Sequence, residues 1–327
     1  SVCLLPVLAD AAVIVDEVHS FDKSMFDNLV AFLKAFDVPV LCMTATLSDD
    51  RRRALEDAGL VVYPRDEHRD ELPDLAEEEH APRYRVRRVN DVTEARALAV
   101  AAYKGSKRVL WVVNTVRRCQ ELARSLQDEL GARVACYHSG FRLNDRQARH
   151  REIVAAFQQR EVPAFAVTTQ VCEMSLDVDA DTLVTEVAPV TALVQRFGRS
   201  NRKRAGKGAE FRGQVLVYTP AGEGNPYAPY TRAEIEAAGR FLDAVGEGDV
   251  SQAWLGEELA RFAPGEASPD GSARFLASGY YATPGSLRDI DEFNESCVLD
   301  RDLKDIEARA LAKDPWDGFV VPVARRD

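Results

Sequence analysis

Thr168–Arg202 reads TTQVCEMSLDVDADTLVTEVAPVTALVQRFGRSNR, and the fold is decided there. The run FAVTT from Phe165 is apolar and then ends in hydroxyls, the mark of a buried strand stopping at a loop. Thr182–Val187 reads as its neighbour strand. A short helix is expected next, carrying Gln195, Arg196, Arg199 and Arg202. Residues three apart on a helix share one side, so the guanidinium groups would stack and repel unless they met a common anion. A polyphosphate suits them, because the guanidinium fork matches phosphate oxygens bidentately. A solvated basic face, continued by Lys203 and Arg204, is the plainer alternative. Gln195, Gly198 and Asn201 make the pattern Q-R-x-G-R-x-N-R dense enough to favour the phosphate.

Working outward, 327 residues allow about two domains. A hydrophobic content of 46% supports real cores and excludes a disordered chain. The net charge of −11 excludes whole-surface attraction to nucleic acid, so such binding needs a local groove. Cysteines 3, 42, 119, 136, 172 and 297 form no C-x-x-C pair, and they read as free, mostly buried thiols of a reducing cytoplasm. No secretory signal or membrane-length apolar run occurs.

Ala11–Val15 reads as a buried strand ending on Asp16-Glu17-Val18-His19. Carboxylates at a strand's C-terminal end lie where open α/β sheets bind ligands. Asp16 suits Mg²⁺, which takes oxygen ligands, and Glu17 suits polarising a water. An acidic helix cap is the alternative. Ser24–Phe36 has helical periodicity. Val38–Met43 reads as a strand ending on Thr44-Ala45-Thr46, hydroxyls that can bridge the acidic pair to a moving partner or simply cap the next helix. Gly59–Tyr63 reads as a third strand.

The acidic stretch 65–82 reads as a linker between residues 1–64 and a second α/β unit, 83–220. In that unit strands and helices alternate, which implies a parallel sheet with right-handed crossovers. Polar residues recur where strands end: Asn114, Thr115, His138, Thr168, Thr169 and Gln170. Singly these are cap and turn residues. As a row they suit a phosphodiester backbone gripped without regard to base sequence. Gln214–Tyr218 reads as the last strand, and residues 221–327 as a mostly helical accessory region.

DEVH, TATL, VVNT, QVCEMSLD and QRFGRSNR stand in the order and approximate spacing of superfamily 2 DExH-box helicases. The longer strings YHSGFRLNDR, TTQVCEMSLDVDADTLVTEVAP and VQRFGRSNR resemble the helicase–nuclease of type I CRISPR interference. The resemblance covers roughly Ala11–Tyr218 and implies RecA-like sheets, ATP and Mg²⁺. By it, Asp16 ligates the metal and Glu17 is the catalytic base. His19, Thr44 and Thr46 couple hydrolysis to movement. Asp177 approaches the ribose, Gln195 and Arg196 lie by the phosphates, and Arg199 and Arg202 are arginine fingers. Asn114, Thr115, His138, Thr168, Thr169 and Gln170 line single-stranded DNA. The implied partner is a Cascade-type surveillance complex in the cytoplasm.

No G-x-x-x-x-G-K-[ST] loop and no His-Asp pair occur, so the phosphate loop and the HD nuclease are expected from elsewhere, in cis or in trans. The chain is expected to be a fragment that does not hydrolyse ATP alone. Another superfamily 2 DNA or RNA helicase, or a non-catalytic docking module, are the competing readings.

Overall fold

The computed structural model describes residues 11–262, apart from 19–20, 22, 45–46, 66–67, 69–70, 204–206, 209 and 223–224. The described residues fall into two compact units divided between residues 68 and 69.

In the first unit, β1 (Val13–Val15) pairs in parallel with β2 (Val40–Cys42), Val15 opposite Cys42. Helices α1 (Lys23–Ala35) and α2 (Asp49–Asp57) accompany them. Val18, Phe26, Leu29 and Leu55 form its small core. The opposite side of the sheet is apolar and open, with Ile14 at 65% and Leu41 at 54% exposure. The expected strand at Gly59–Tyr63 is absent. The amides there close the end of α2 instead: Gly59 N–H donates to Glu56 and Leu60 N–H to Leu55, with Gly59 at φ 96°.

The second unit is a doubly covered sheet. Its strands are β3 (Pro82–Arg88), β4 (Val109–Val112), β5 (Ala135–Tyr137), β6 (Phe165–Thr168), β7 (Thr182–Glu186), β8 (Gly213–Tyr218) and β9 (Gly248–Ser251), in the order β5-β6-β4-β7-β8-β3-β9. All neighbours are parallel except β9, which runs antiparallel to β3. Every residue of β4, β6 and β7 is buried, as continuous apolar runs with helices on both faces require. On one face Trp111, Val167 and Val184 meet α4 (Val92–Lys104) and α5 (Val116–Leu130). On the other, Leu110, Ala166 and Leu183 meet α6 (Leu143–Gln158), α7 (Val171–Ser175), α8 (Val190–Phe197), α9 (Arg232–Val245) and α10 (Gln252–Phe262).

Two expectations change here. The stretch read as a linker contains a helix, α3 (Pro73–His80), started by a proline whose fixed φ suits a first helical turn. The segment after residue 220 is built into the second unit. Its α9 and α10 cover the sheet and β9 forms its edge, so Gln214–Tyr218 is not the last strand. The sequence of β9, GDVS, has too little apolar character to announce a strand.

At the N-terminal end of the central strands, Arg108 is 3% exposed and bonds Asp181 through Nε at 3.0 Å and Nη2 at 2.7 Å. Its own backbone N–H also reaches Asp181, and its Nη1 reaches the Phe157 carbonyl. Burial alone would raise the Asp181 pKa, but the bonds from Arg108 overcome it and hold that carboxyl below its usual value of 3.8. A depressed carboxylate stabilises the fold above its unfolded pKa and loses that contribution as pH falls through the folded one. Asp181→Asn is therefore expected to destabilise the unit by about 3 kcal/mol at neutral pH. In denaturant titrations, the gap between variant and parent should close as pH is lowered below 3.8.

Candidate functional site

Because β5, β6, β4 and β7 are parallel neighbours, their C-terminal ends form one continuous edge. Along it lie His138, then Thr169 and Gln170, then Asn114 and Thr115, then Glu186. The row expected from sequence exists, and its members divide into two kinds. Asn114, His138, Thr168 and Thr169 are buried, at 3% exposure or less, whereas Thr115 and Gln170 are half-buried.

The buried members are held by bonds inside the protein. Asn114 accepts from Arg196 at 3.1 Å and donates to the Val187 carbonyl at 2.8 Å. Its N–H donates to Glu186, and its carbonyl accepts from the Gln170 amide at 2.9 Å. His138 Nδ1 accepts from Gly140 N–H, and its Nε2 lies 3.1 Å from the Gln120 side-chain amide nitrogen. The ring stacks on Phe141 with centroids 4.2 Å apart. Thr168 Oγ1 donates to the Thr169 carbonyl. Thr115 caps α5 by accepting from Arg118 N–H.

The arginine motif is arranged differently from the expected helical stack. Helix α8 ends at Phe197, and Arg199 and Ser200 close tight turns back to Arg196 and Phe197. Asn201 then takes φ 48°, a left-handed value that Asn tolerates, and its side chain bonds the Arg83 carbonyl. Ser200 and Asn201 are pinned to Ala180, and a side chain at Gly213 would meet Ser200 Oγ at 2.2 Å. The three guanidinium groups consequently differ in burial and in partners.

Arg196 is wholly buried. Its Nε donates to Glu173 at 2.7 Å, Nη1 serves Asn114, Thr185 and the Glu186 carbonyl, and Nη2 reaches the Tyr230 hydroxyl at 3.1 Å. Burial pushes the Glu173 carboxyl up while Arg196 pulls against it. Arg199 is 9% exposed and donates to the carbonyls of Leu176 and Glu173, at the end of α7. Placing a cation on the last carbonyls of a helix is favourable. Arg202 is the exposed one, with its side chain at 43%, and it lies 3.3 Å from Asp177, which Lys203 also approaches. Gln195 is half-buried on α8.

Sequence reasoning missed Glu173, Glu186, Tyr230 and Gln120 as site residues. Glu186 is 1% exposed and accepts from Asn114 N–H at 2.6 Å and Arg118 at 2.8 Å. Its cue was a carboxylate at the end of an otherwise apolar strand.

In the first unit, Val18 N–H donates to Met43 and Met43 N–H to Val15, so the ends of β1 and β2 lie together. Asp16 is exposed and accepts from Glu17 N–H at 2.8 Å. Glu17 sits at φ 55°, a conformation uncommon for a residue other than glycine and one that gathers at functional sites. His19 and Thr46 lie outside the described residues.

A parallel sheet with a polar C-terminal edge and these motifs in order has the form of a RecA-like domain of the superfamily 2 type. Residues 105–205 match the family described as CRISPR-associated nuclease/helicase Cas3, C-terminal. The chain is similar to part of the Cas3 nuclease/helicases. It is 39% identical over 248 residues to a CRISPR-associated nuclease/helicase Cas3 of Myxococcus xanthus, covering 76% of this chain and 32% of that protein. It is 31% identical over 261 residues to the CRISPR-associated endonuclease/helicase Cas3 of Escherichia coli, covering 70% and 28%. The chain thus spans about a third of the length of these relatives. The crystal structure of T. fusca Cas3-ATP shares the fold, with a TM-score of 0.61 at 23% identity over 94% of this chain and 38% of that one.

Arg196→Met is expected to cost about 3–5 kcal/mol, because it strands Glu173 as a buried, unpaired carboxylate. Chemical denaturation of Arg196→Met and of the double variant Arg196→Met/Glu173→Leu checks this, with the double variant recovering more than half of the loss.

Proposed function

We propose that the chain supplies part of an ATP-driven motor that moves along single-stranded DNA in CRISPR interference. The observation that carries this reading is the bonding of QVCEMSLD to QRFGRSNR through Arg196 and Arg199. It ties the strand-end row and the arginine motif into one rigid piece, as a unit that converts phosphate contact into grip on a strand requires.

In this reading residues 1–64 carry the acidic groups that serve the nucleotide, and residues 69–262 carry the basic ones. The exposed carboxylate of Asp16 at a strand end suits a hard cation held jointly with phosphate oxygens. When bound, ATP with Mg²⁺ supplies the phosphoryl group and the charge to be neutralised. Glu17, set by its left-handed backbone, orients and deprotonates the attacking water. Thr44, with His19 and Thr46, links that site to movement. Asp177 serves the ribose and Gln195 lies by the phosphates.

Arg202 is the leading arginine finger, because it is exposed and its present partner is the surface carboxylate of Asp177. Exchanging one exposed oxyanion for another costs little. Arg199 is the second finger and must release a backbone carbonyl to act. Each nitrogen of the wholly buried Arg196 guanidinium has a partner inside the protein, so its part is to position the loop and not to touch phosphate. Thr115 and Gln170 present half-buried polar groups to the strand, while Asn114, His138, Thr168 and Thr169 brace the loops beneath.

Several of the structures similar to this chain are of Cas3 with ATP, ADP or AMPPNP, and one is a CRISPR RNA-guided surveillance complex before nicking. These support nucleotide and a Cascade-type complex as the partners here.

The test is DNA-stimulated ATP hydrolysis in a preparation that includes the phosphate-loop segment, in cis or as an added chain. Arg202→Ala is expected to lower the rate by ~10³ or more, with the unfolding midpoint unmoved. Arg199→Ala should lower both. A rate within twofold of the parent for Arg202→Ala overturns the finger assignment, and stimulation by RNA in preference to DNA overturns the substrate.

A further inference from the structure

Beside the strand-end row, two thiols face each other. Cys119 of α5 is fully buried, and Cys136 of β5 is half-buried. Their sulfurs are 3.7 Å apart. A disulfide needs about 2.0 Å, so modest side-chain rotation can close the gap. Cys136 also lines a cavity of about 300 Å³, together with Gln120, Arg124, Arg133, His138 and Arg149. Glu152 offsets part of this positive charge, lying 2.7 Å from Arg133 and 3.3 Å from Arg149. Arg124, Arg133 and Arg149 still outnumber it, so the cavity favours a small anion.

The two thiols are chemically unequal. The hydrogen bond from Cys119 stabilises the Cys136 thiolate. Burial opposes this, but His138 and Arg149 assist, and the Cys136 pKa is lowered to about 5. The same bond, with burial, pushes Cys119 up. This is the division of labour of an attacking thiolate with a resolving thiol behind it.

We propose that Cys136 and Cys119 form a reversible disulfide, made by exchange with a small anionic disulfide of the glutathione disulfide class entering the arginine-lined cavity. The Cys136 thiolate attacks one sulfur of the incoming disulfide. That S–S bond breaks, one thiolate leaves, and Cys136 holds a mixed disulfide. Cys119 then gives its proton to the departing thiolate and attacks the Cys136 sulfur, releasing the second small thiol. Two protein thiols are oxidised to one disulfide and one small disulfide is reduced to two thiols. In a reducing compartment such a bond is transient, which suits a sensor better than a structural link. The bond joins α5 to β5 one residue before Gln120 and two before His138, so oxidation fixes the loop these two residues hold.

The test uses the whole chain with glutathione disulfide, followed by non-reducing digestion and mass spectrometry. A linked peptide pair containing Cys119 and Cys136 is expected in the parent. In Cys119→Ser, the mixed disulfide on Cys136 should persist. Iodoacetamide at pH 6 should label Cys136 at least ~10-fold faster than the half-buried Cys42, whose pKa burial raises. A stable mixed disulfide on Cys136 in the parent, or labelling no faster than Cys42, overturns the proposal. Cys136→Ser, which keeps Cys119 in place, should abolish the linked pair.

Discussion

A guanidinium group with no access to water is tolerable only if its nitrogens find acceptors. Arg196 meets that condition by drawing on five places in the chain: Glu173, Asn114, Thr185, Glu186 and Tyr230. These come from α7, the end of β4, two positions of β7 and the turn before α9. Few other shapes of side chain could reach so many. A lysine offers one point charge, and an apolar residue of similar length would abandon Glu173. The end of the sheet is therefore organised around one planar cation, and the conformation of the loops after β4, β6 and β7 follows from satisfying it.

This constraint also explains which parts were legible from sequence. Strands such as VLWV and TLVTE announced themselves because burial on both faces leaves an unbroken apolar run. Helix α5 was readable over its full length from its amphipathic periodicity, and the structure adds the caps, Thr115 before it and Gly131 after. The arginine spacing was visible, but its reading assumed a helix that stops at Phe197. The helix ends because Ser200 and Asn201 are bound to Ala180, just before β7, a contact between distant positions that no local pattern encodes. The same holds for β9, whose edge position depends on β3 and not on its own composition.

The site residues show the same division. Spacing identified the strand-end row but could not tell brace from contact. Burial does so: a polar side chain with its bonds consumed inside the protein holds the loop, and one left half-open can meet a ligand. The residues that sequence passed over, Glu173, Glu186 and Tyr230, are the counter-groups to the arginines. A cation is conspicuous in a motif, whereas its buried partner looks like any other acid or aromatic until the fold brings them together.

Helix α5 gathers these effects at its N-terminal end. Within six residues it carries the Thr115 cap, the Arg118 bond to Glu186, the Cys119 contact with Cys136 and the Gln120 contact with His138. The cap starts the helix just after β4, and the other three contacts tie it to the end of β7, to β5 and to the loop after β5. A helix is stiff over this length, so a displacement of its first turns moves the whole row together instead of one residue at a time. Anything that binds the row, or changes the chemistry beneath it, acts on that helix as on a lever whose far side reaches Glu186 and, through Asn114, the buried guanidinium of Arg196.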